Sequence, residues 1–176
     1  MGKLEALVKK AKKGDGEAFV SLVQRYEDVL YKVASRLLQK DEDVADAMQE
    51  AITVAYEKIH TLKNDEYFNT WICKILINTC NGILNKRQKI TLVDEHVEQK
   101  QNKNEFLKIE LEDALNSLNK DYKIAIVLYY IVGLSIKEMS AFLKEPEGTI
   151  KSRLSRAKSI LRNHYYSGEG VSVNEK

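Results

Sequence analysis

The sequence predicts an all-α fold: two small helical domains joined by a flexible linker. Three observations carry that expectation. Apolar residues recur at helical spacing through most of the chain, and no strand alternation is sustained. Helix breakers are scarce, with 1 Pro and 8 Gly among 176 residues. Between the two helical halves lies QKITLVDEHVEQKQNKNEF (88–106), whose scattered apolar residues cannot build a buried face. The expected layout is a first domain over 1–88, a linker over 89–105, a second domain over 106–166 and a disordered tail over 167–176.

Helices are expected at roughly 3–13, 15–39, 42–61 and 70–87. In the third, DEDVADAMQEAITVAYEKIH, Val44, Met48, Ala51, Ile52, Ala55 and Ile59 cluster on one side. Asp46, Gln49, Glu50, Thr53 and Glu57 take the other side. That acidic face is unsuited to DNA. It reads either as a solvated surface or as a docking surface for a basic partner.

The loop KNDEYF follows, with Lys63, Asn64, Asp65 and Glu66 beside two aromatics, Tyr67 and Phe68. A polar loop with exposed rings is a pocket suited to an unstacked base, unless the rings tuck beneath it. Along the fourth helix, Lys74, Asn78, Asn81 and Asn85 fall on one stripe with Trp71 beside them. Asn is a poor helix-interior residue, so three in register call for a reason. Asn amides pair with adenine edges or with phosphates and sugars, and Lys86, Arg87 and Lys89 add positive charge at the helix exit.

In the second half, helices are expected near 105–117, 121–132, 136–143 and 147–165. DYKIAIVLYYIVGLS is apolar nearly all round, as a buried helix is. Ser135-x-x-Glu138 is a capping box that opens a short helix after Gly133. A three-residue turn, Lys144-Glu145-Pro146, leads into EGTIKSRLSRAKSILRNH. Pro146 suits the first position of that last helix, where a missing N–H costs nothing. Its stripe of Ile150, Leu154, Ala157 and Leu161 is apolar. Ser152, Ser155, Arg156 and Ser159 face away from it, Lys151 and Arg162 stand on a shoulder, and Arg153 lies nearer the core edge. Two helices across a tight turn, the second bearing cations and small hydroxyls outward, form the helix-turn-helix pattern.

Charge supports that reading. The whole chain is only +2, yet residues 144–164 hold six lysines and arginines against two acids, while 91–120 hold four against seven. Segregated charge is what a nucleic-acid binder needs. Cys73 and Cys80 lie seven residues apart in one helix, about 10 Å and too far for a disulfide. They read as core residues of a reducing compartment. No CxxC or HxxxH pair, P-loop or GxSxG occurs, and His60, His96 and His164 are far apart. No catalytic residue, metal, cofactor or small-molecule substrate is therefore expected. The N-terminus lacks a long apolar run, so the expectation is a cytoplasmic chain without membrane insertion.

Three blocks carry a family resemblance: Asp46-Ala47-x-Gln49-Glu50, then Phe68-x-Thr70-Trp71 with Ile75 and Asn78, then Gly148-Thr149-Ile150-Lys151-Ser152-Arg153-Leu154-x-Arg156-Ala157. In order and spacing the chain resembles a bacterial RNA polymerase sigma factor of the extracytoplasmic-function type. That resemblance implies a promoter-specificity subunit serving a stress or cell-envelope type regulon. Asp46, Gln49, Glu50 and Thr53 would dock on the β′ clamp coiled coil of core RNA polymerase. The loop Lys63–Phe68 would capture a flipped base of the −10 element, and the helix from Trp71 to Arg87 would read and melt that element. Thr149, Lys151, Ser152, Arg153, Ser155 and Arg156 would meet the −35 element in the major groove. The linker would pass through the polymerase, the second domain would meet the β flap, and an anti-sigma factor would hold the protein inactive. Many relatives carry an acid at Gly82 and Arg at Lys74 and Asn85, so the chain departs from the family there. The competing reading is a free-standing helix-turn-helix regulator that binds DNA without polymerase.

Overall fold

A computed structural model describes residues 2–91 and 113–168, and among them every regular element is helical. The chain divides into two compact units, Met1–His96 and Val97–Lys176. In the first unit, α1 spans Lys3–Lys12, α2 Gly16–Leu37, α3 Asp41–Lys58 and α4 Phe68–Thr91. Two single 3-10 turns, Ile59–Thr61 and Asp65–Tyr67, join α3 to α4.

Local chemistry sets these boundaries. Gly14 takes a φ of 93°, which lets α1 turn sharply into α2, and the Asp15 side chain then accepts the Ala18 N–H at 3.0 Å. Phe19, Leu22, Leu30, Val33 and Leu37 bury one face of α2. Ala47, Ala51 and Ala55 repeat every fourth residue of α3 and are buried, so α3 lies close against its neighbours α2 and α4. Phe68, Ile72, Leu76 and Ile77 complete the core from α4. Cys73 and Cys80 are buried there as free thiols, and burial pushes both up to about 12. The helix expected over 42–61 ends at Lys58, and its last three residues tighten into the 3-10 turn. The helix expected over 70–87 starts earlier and continues to Thr91, so 89–91 are helix rather than linker.

In the second unit, residues 113–116 are helical, α5 spans Lys120–Tyr130, α6 Ile136–Leu143 and α7 Glu147–Gly168. The Asn119 side chain caps α5 by accepting the Tyr122 N–H at 2.9 Å. The expectation that α5 is buried all round holds only for 124–128, because Tyr130 remains 59% exposed. Gly133, at φ 79°, reverses the chain. The capping box then opens α6, with both reciprocal bonds between Ser135 and Glu138 in place. Ala125, Val127, Leu128, Met139, Ile150, Leu154 and Ala157 form the core of this unit. Pro146 precedes α7 by one residue, and its carbonyl accepts the Thr149 and Ile150 N–H groups at 3.0 and 3.2 Å. Helix α7 reaches Gly168, so 167 and 168 belong to it rather than to the expected tail. The expected linker from 92 onward, most of the helix at 105–117, and 169–176 lie outside the described residues.

Candidate nucleic-acid and polymerase interfaces

Helix α7 presents its basic face because its opposite stripe is consumed by the core. Ile150, Leu154 and Ala157 are buried, while Thr149, Lys151, Ser152, Ser155 and Arg156 are exposed. The Ser152 hydroxyl donates back to the Thr149 carbonyl at 3.0 Å, which keeps that side chain short and the helix surface flat. An open cleft of about 250 Å³ runs beside Thr149, Ser152 and Arg156 to Asn119 and Tyr122 at the start of α5. Cationic and hydroxyl groups beside such a cleft match a groove-entering helix with flanking phosphate contacts.

Arg153 is the exception on this helix. Its side chain is 15% exposed, and its guanidinium meets Glu145 in the turn and Asp121 at the start of α5, the latter at 3.7 Å. Arg153, expected to contact DNA, is here drawn inward by two carboxylates on neighbouring elements. The turn itself is held by Ser140, whose hydroxyl donates to the Glu145 carbonyl at 2.5 Å and whose carbonyl accepts the Glu145 N–H at 3.1 Å. Lys144 supplies the bend in a left-handed conformation, φ 58°.

In the first unit the loop between α3 and α4 is pinned by buried Leu62 at one end and buried Phe68 at the other. Lys63, Asn64, Glu66 and Tyr67 are exposed, Tyr67 by 52%. Asn64 caps the short turn, its side chain accepting the Glu66 N–H at 3.2 Å. Of the two aromatics, only Tyr67 is available to a base. Phe68 is in the core, its ring 5.6 Å from Tyr26 and 6.0 Å from Trp71. Asp65 also turns inward: it pairs with Lys12 of α1 and its side chain is 13% exposed. In this conformation the Asp65 carboxylate is paired with Lys12 rather than turned to solvent.

The asparagine stripe of α4 lies away from the buried Ile72, Cys73, Leu76 and Cys80. Asn78, Asn85 and Lys86 are exposed, while Trp71, Lys74 and Asn81 are half-buried. The Asn81 Oδ1 is buried without a hydrogen-bond partner among the described residues. Arg87, expected to add positive charge at the helix exit, binds Asp43 of α3 at 2.6 Å. That pair fastens α4 to the first turn of α3.

On α3 the acidic face is solvent-facing, with Asp46, Gln49, Glu50, Thr53 and Glu57 all exposed. The Thr53 hydroxyl donates to the Gln49 carbonyl at 2.9 Å. The sequence reading missed Lys12, Asp43, Asp121 and Glu145 as supports of these surfaces. No local pattern could have flagged the first three, whose partners are 53, 44 and 32 positions away. Among the described residues, no group of three or more His, Cys, Asp and Glu could hold a metal, and no helix is long and apolar enough to cross a membrane.

An α3–loop–α4 unit with one acidic and one polar-amide face, followed by a helix-turn-helix unit, defines a sigma-type DNA-binding protein. Residues 22–90 match Sigma-70 region 2, and residues 108–161 match Sigma-70, region 4. The chain is 30% identical to the ECF RNA polymerase sigma-E factor of Haemophilus influenzae, over 90% of this chain and 93% of that protein. It is 32% identical to the Escherichia coli factor of the same description, over 90% and 92%. The RNA polymerase sigma factor SigV of Bacillus subtilis is 28% identical over 81% and 88%. In fold, the chain is similar to CnrH solved with the cytosolic domain of CnrY, at TM-score 0.74 and 23% identity over 93% and 97%. It is also similar to the sigma factor RpoE of Bartonella quintana, co-crystallised with the anti-sigma factor NepR, at TM-score 0.68 and 24% identity over 88% and 99%. The chain belongs to the sigma-70 family, in the extracytoplasmic-function class. It is an alternative sigma factor for transcription initiation, and the region 2 match disfavours a free-standing regulator.

Proposed function

We propose that the chain divides promoter recognition and polymerase binding among three faces. The exposed face of α3, with Asp46, Gln49, Glu50 and Thr53, docks on the basic side of the β′ clamp coiled coil. Lys63, Asn64, Glu66 and Tyr67 form a rim that takes one unstacked base of the −10 element, and Tyr67 supplies the stacking ring. Along α4, Trp71, Lys74, Asn78, Asn81, Asn85 and Lys86 follow the separated strand. Helix α7 enters the −35 major groove with Thr149, Lys151, Ser152, Ser155 and Arg156, while Arg153 holds the helix in place. The β flap receives the second unit, and an anti-sigma factor restrains the protein. Support for that partner is the complex of the B. quintana factor, similar in fold, with the anti-sigma factor NepR.

One observation carries the reading: the exposed faces of α3 and α7 are opposite in charge. Phosphate attracts the α7 face and repels the α3 face, so the α3 face suits a basic protein partner and not DNA. Reversing a charge there leaves the partner unpaired or repelled, at about 2–5 kcal/mol. Glu50→Lys is expected to abolish association with core polymerase and run-off transcription, with helicity unchanged. Tight, specific promoter binding by the protein alone, insensitive to Glu50→Lys, overturns the assignment of the α3 face as the polymerase dock.

A further inference from the structure

The loop from Leu62 to Phe68 is short and sparsely bonded. Its backbone bonds include Leu62 N–H to the Ile59 carbonyl at 3.1 Å, Tyr67 N–H to the Asn64 carbonyl at 3.2 Å and Phe68 N–H to the Asp65 carbonyl, with the Asn64 cap added. Its ends are buried, and four of the five residues between them, Lys63, Asn64, Glu66 and Tyr67, are exposed. Such a loop samples several shapes unless something holds its middle.

Asp65 is the one side chain of that middle turned inward, and it meets the ammonium of Lys12. Lys12 is the last residue of α1, which packs on the turn Asp65–Tyr67. Both side chains are largely withdrawn from water, at 23% and 13% exposure. The contact therefore escapes most of the screening that weakens surface pairs.

We infer that Lys12 is a positioning residue for base capture: through Asp65 it holds the loop in its receiving shape and cancels the charge of a carboxylate that lies beneath it. The inference rests on reading this loop as the element that takes the unstacked base. Two physical effects act together. Ordering the loop beforehand removes an entropic cost from the step in which the base is seated. Neutralising Asp65 removes a repulsion beneath a site that DNA must approach. Neither effect concerns the α3 face or helix α7, so core binding and upstream recognition do not depend on Lys12.

The test uses full-length protein with core polymerase on promoters carrying each of the four bases at every −10 position. Open-complex formation is followed by permanganate reactivity of thymines. Lys12→Met keeps the side-chain stem and removes the charge. It is expected to slow opening about five- to tenfold, as loss of one partly buried charge-assisted bond implies. It is also expected to flatten the preference among bases at one −10 position and to lower the thermal midpoint modestly, while core affinity stays at the wild-type value. Lys12→Arg restores both rate and preference, and the exchange Lys12→Asp with Asp65→Lys restores them in part. An equal loss on all bases assigns Lys12 a purely structural role and overturns the inference. If Tyr67→Ala and Asn64→Ala slow opening but Lys12→Met does not, the inference fails and the loop assignment stands. If none of the three alters opening, both fail.

Discussion

Arg153 and Glu145 form a two-pronged ion pair between the recognition helix and the turn before it. Nη2 donates a hydrogen bond to Oε1 at 3.1 Å, and Nη1 lies 2.9 Å from Oε2 as a charge contact poorly aligned for hydrogen bonding. With Asp121 adding a weaker third contact, one guanidinium links α5, the turn and α7. Arg153→Ala is therefore expected to cost about 1–2 kcal/mol in urea unfolding, scaled down from a fully buried pair because Glu145 is partly wet. Binding to the upstream element weakens by a similar factor on every sequence tested. A change confined to one base position shows that Arg153 leaves Glu145 and reads DNA.

Arg156 contrasts with it three residues on. It is exposed beside the cleft and opposite the Ile150/Leu154 stripe. Arg156→Ala is expected to cost about 1–3 kcal/mol at the cognate upstream element and to relax preference at one base pair. Stability in urea should not move. Uniform weakening across sequences, with a shallower salt dependence, identifies a phosphate contact instead.

Lys144 closes helix α6 at φ 58°, a conformation that a side chain disfavours and glycine accepts. The residue is exposed, so no packing is lost on truncation. Lys144→Gly is expected to stabilise the second unit by roughly 0.5–1 kcal/mol, the relief of strain exceeding the added freedom of the unfolded chain. A lower urea midpoint places an unrecognised contact on the Lys144 side chain.

The capping box of α6 has a pH signature. The Ser135 hydroxyl, and then its backbone N–H, bond the Glu138 carboxylate and hold its pKa below the ordinary 4.5. A folded pKa lower than the unfolded one gives stability that is complete above the unfolded value and lost as pH falls through the folded value. Ser135→Ala should therefore cost about 1 kcal/mol at neutral pH. The difference between the two proteins should narrow as pH falls through the lowered pKa of Glu138 and its carboxylate is protonated. A gap that stays constant into acid shows that the hydroxyl cap acts without the carboxylate.

Much of this was legible in the chain itself. The i, i+4, i+7 spacing of Ile150, Leu154 and Ala157 dictates which side of α7 is buried, and therefore that Lys151, Ser155 and Arg156 are wet. The same reasoning places Asp46, Gln49 and Glu50 outward on α3, and Ser135 with Glu138 at the start of α6. Each of those statements concerns residues within about two helical turns, where backbone geometry alone decides neighbours. Tertiary structure decided the fate of the long charged side chains at the edges of those faces. Arg153, Arg87 and Asp65 all stand near functional surfaces, yet each is drawn to an opposite charge on another element: Asp121, Asp43 and Lys12. Phe68 and Tyr67 are adjacent in sequence, yet one fills the core and the other meets solvent. Periodicity tells which side of a helix is covered but not by what, and a flexible side chain at a border goes where its partner stands.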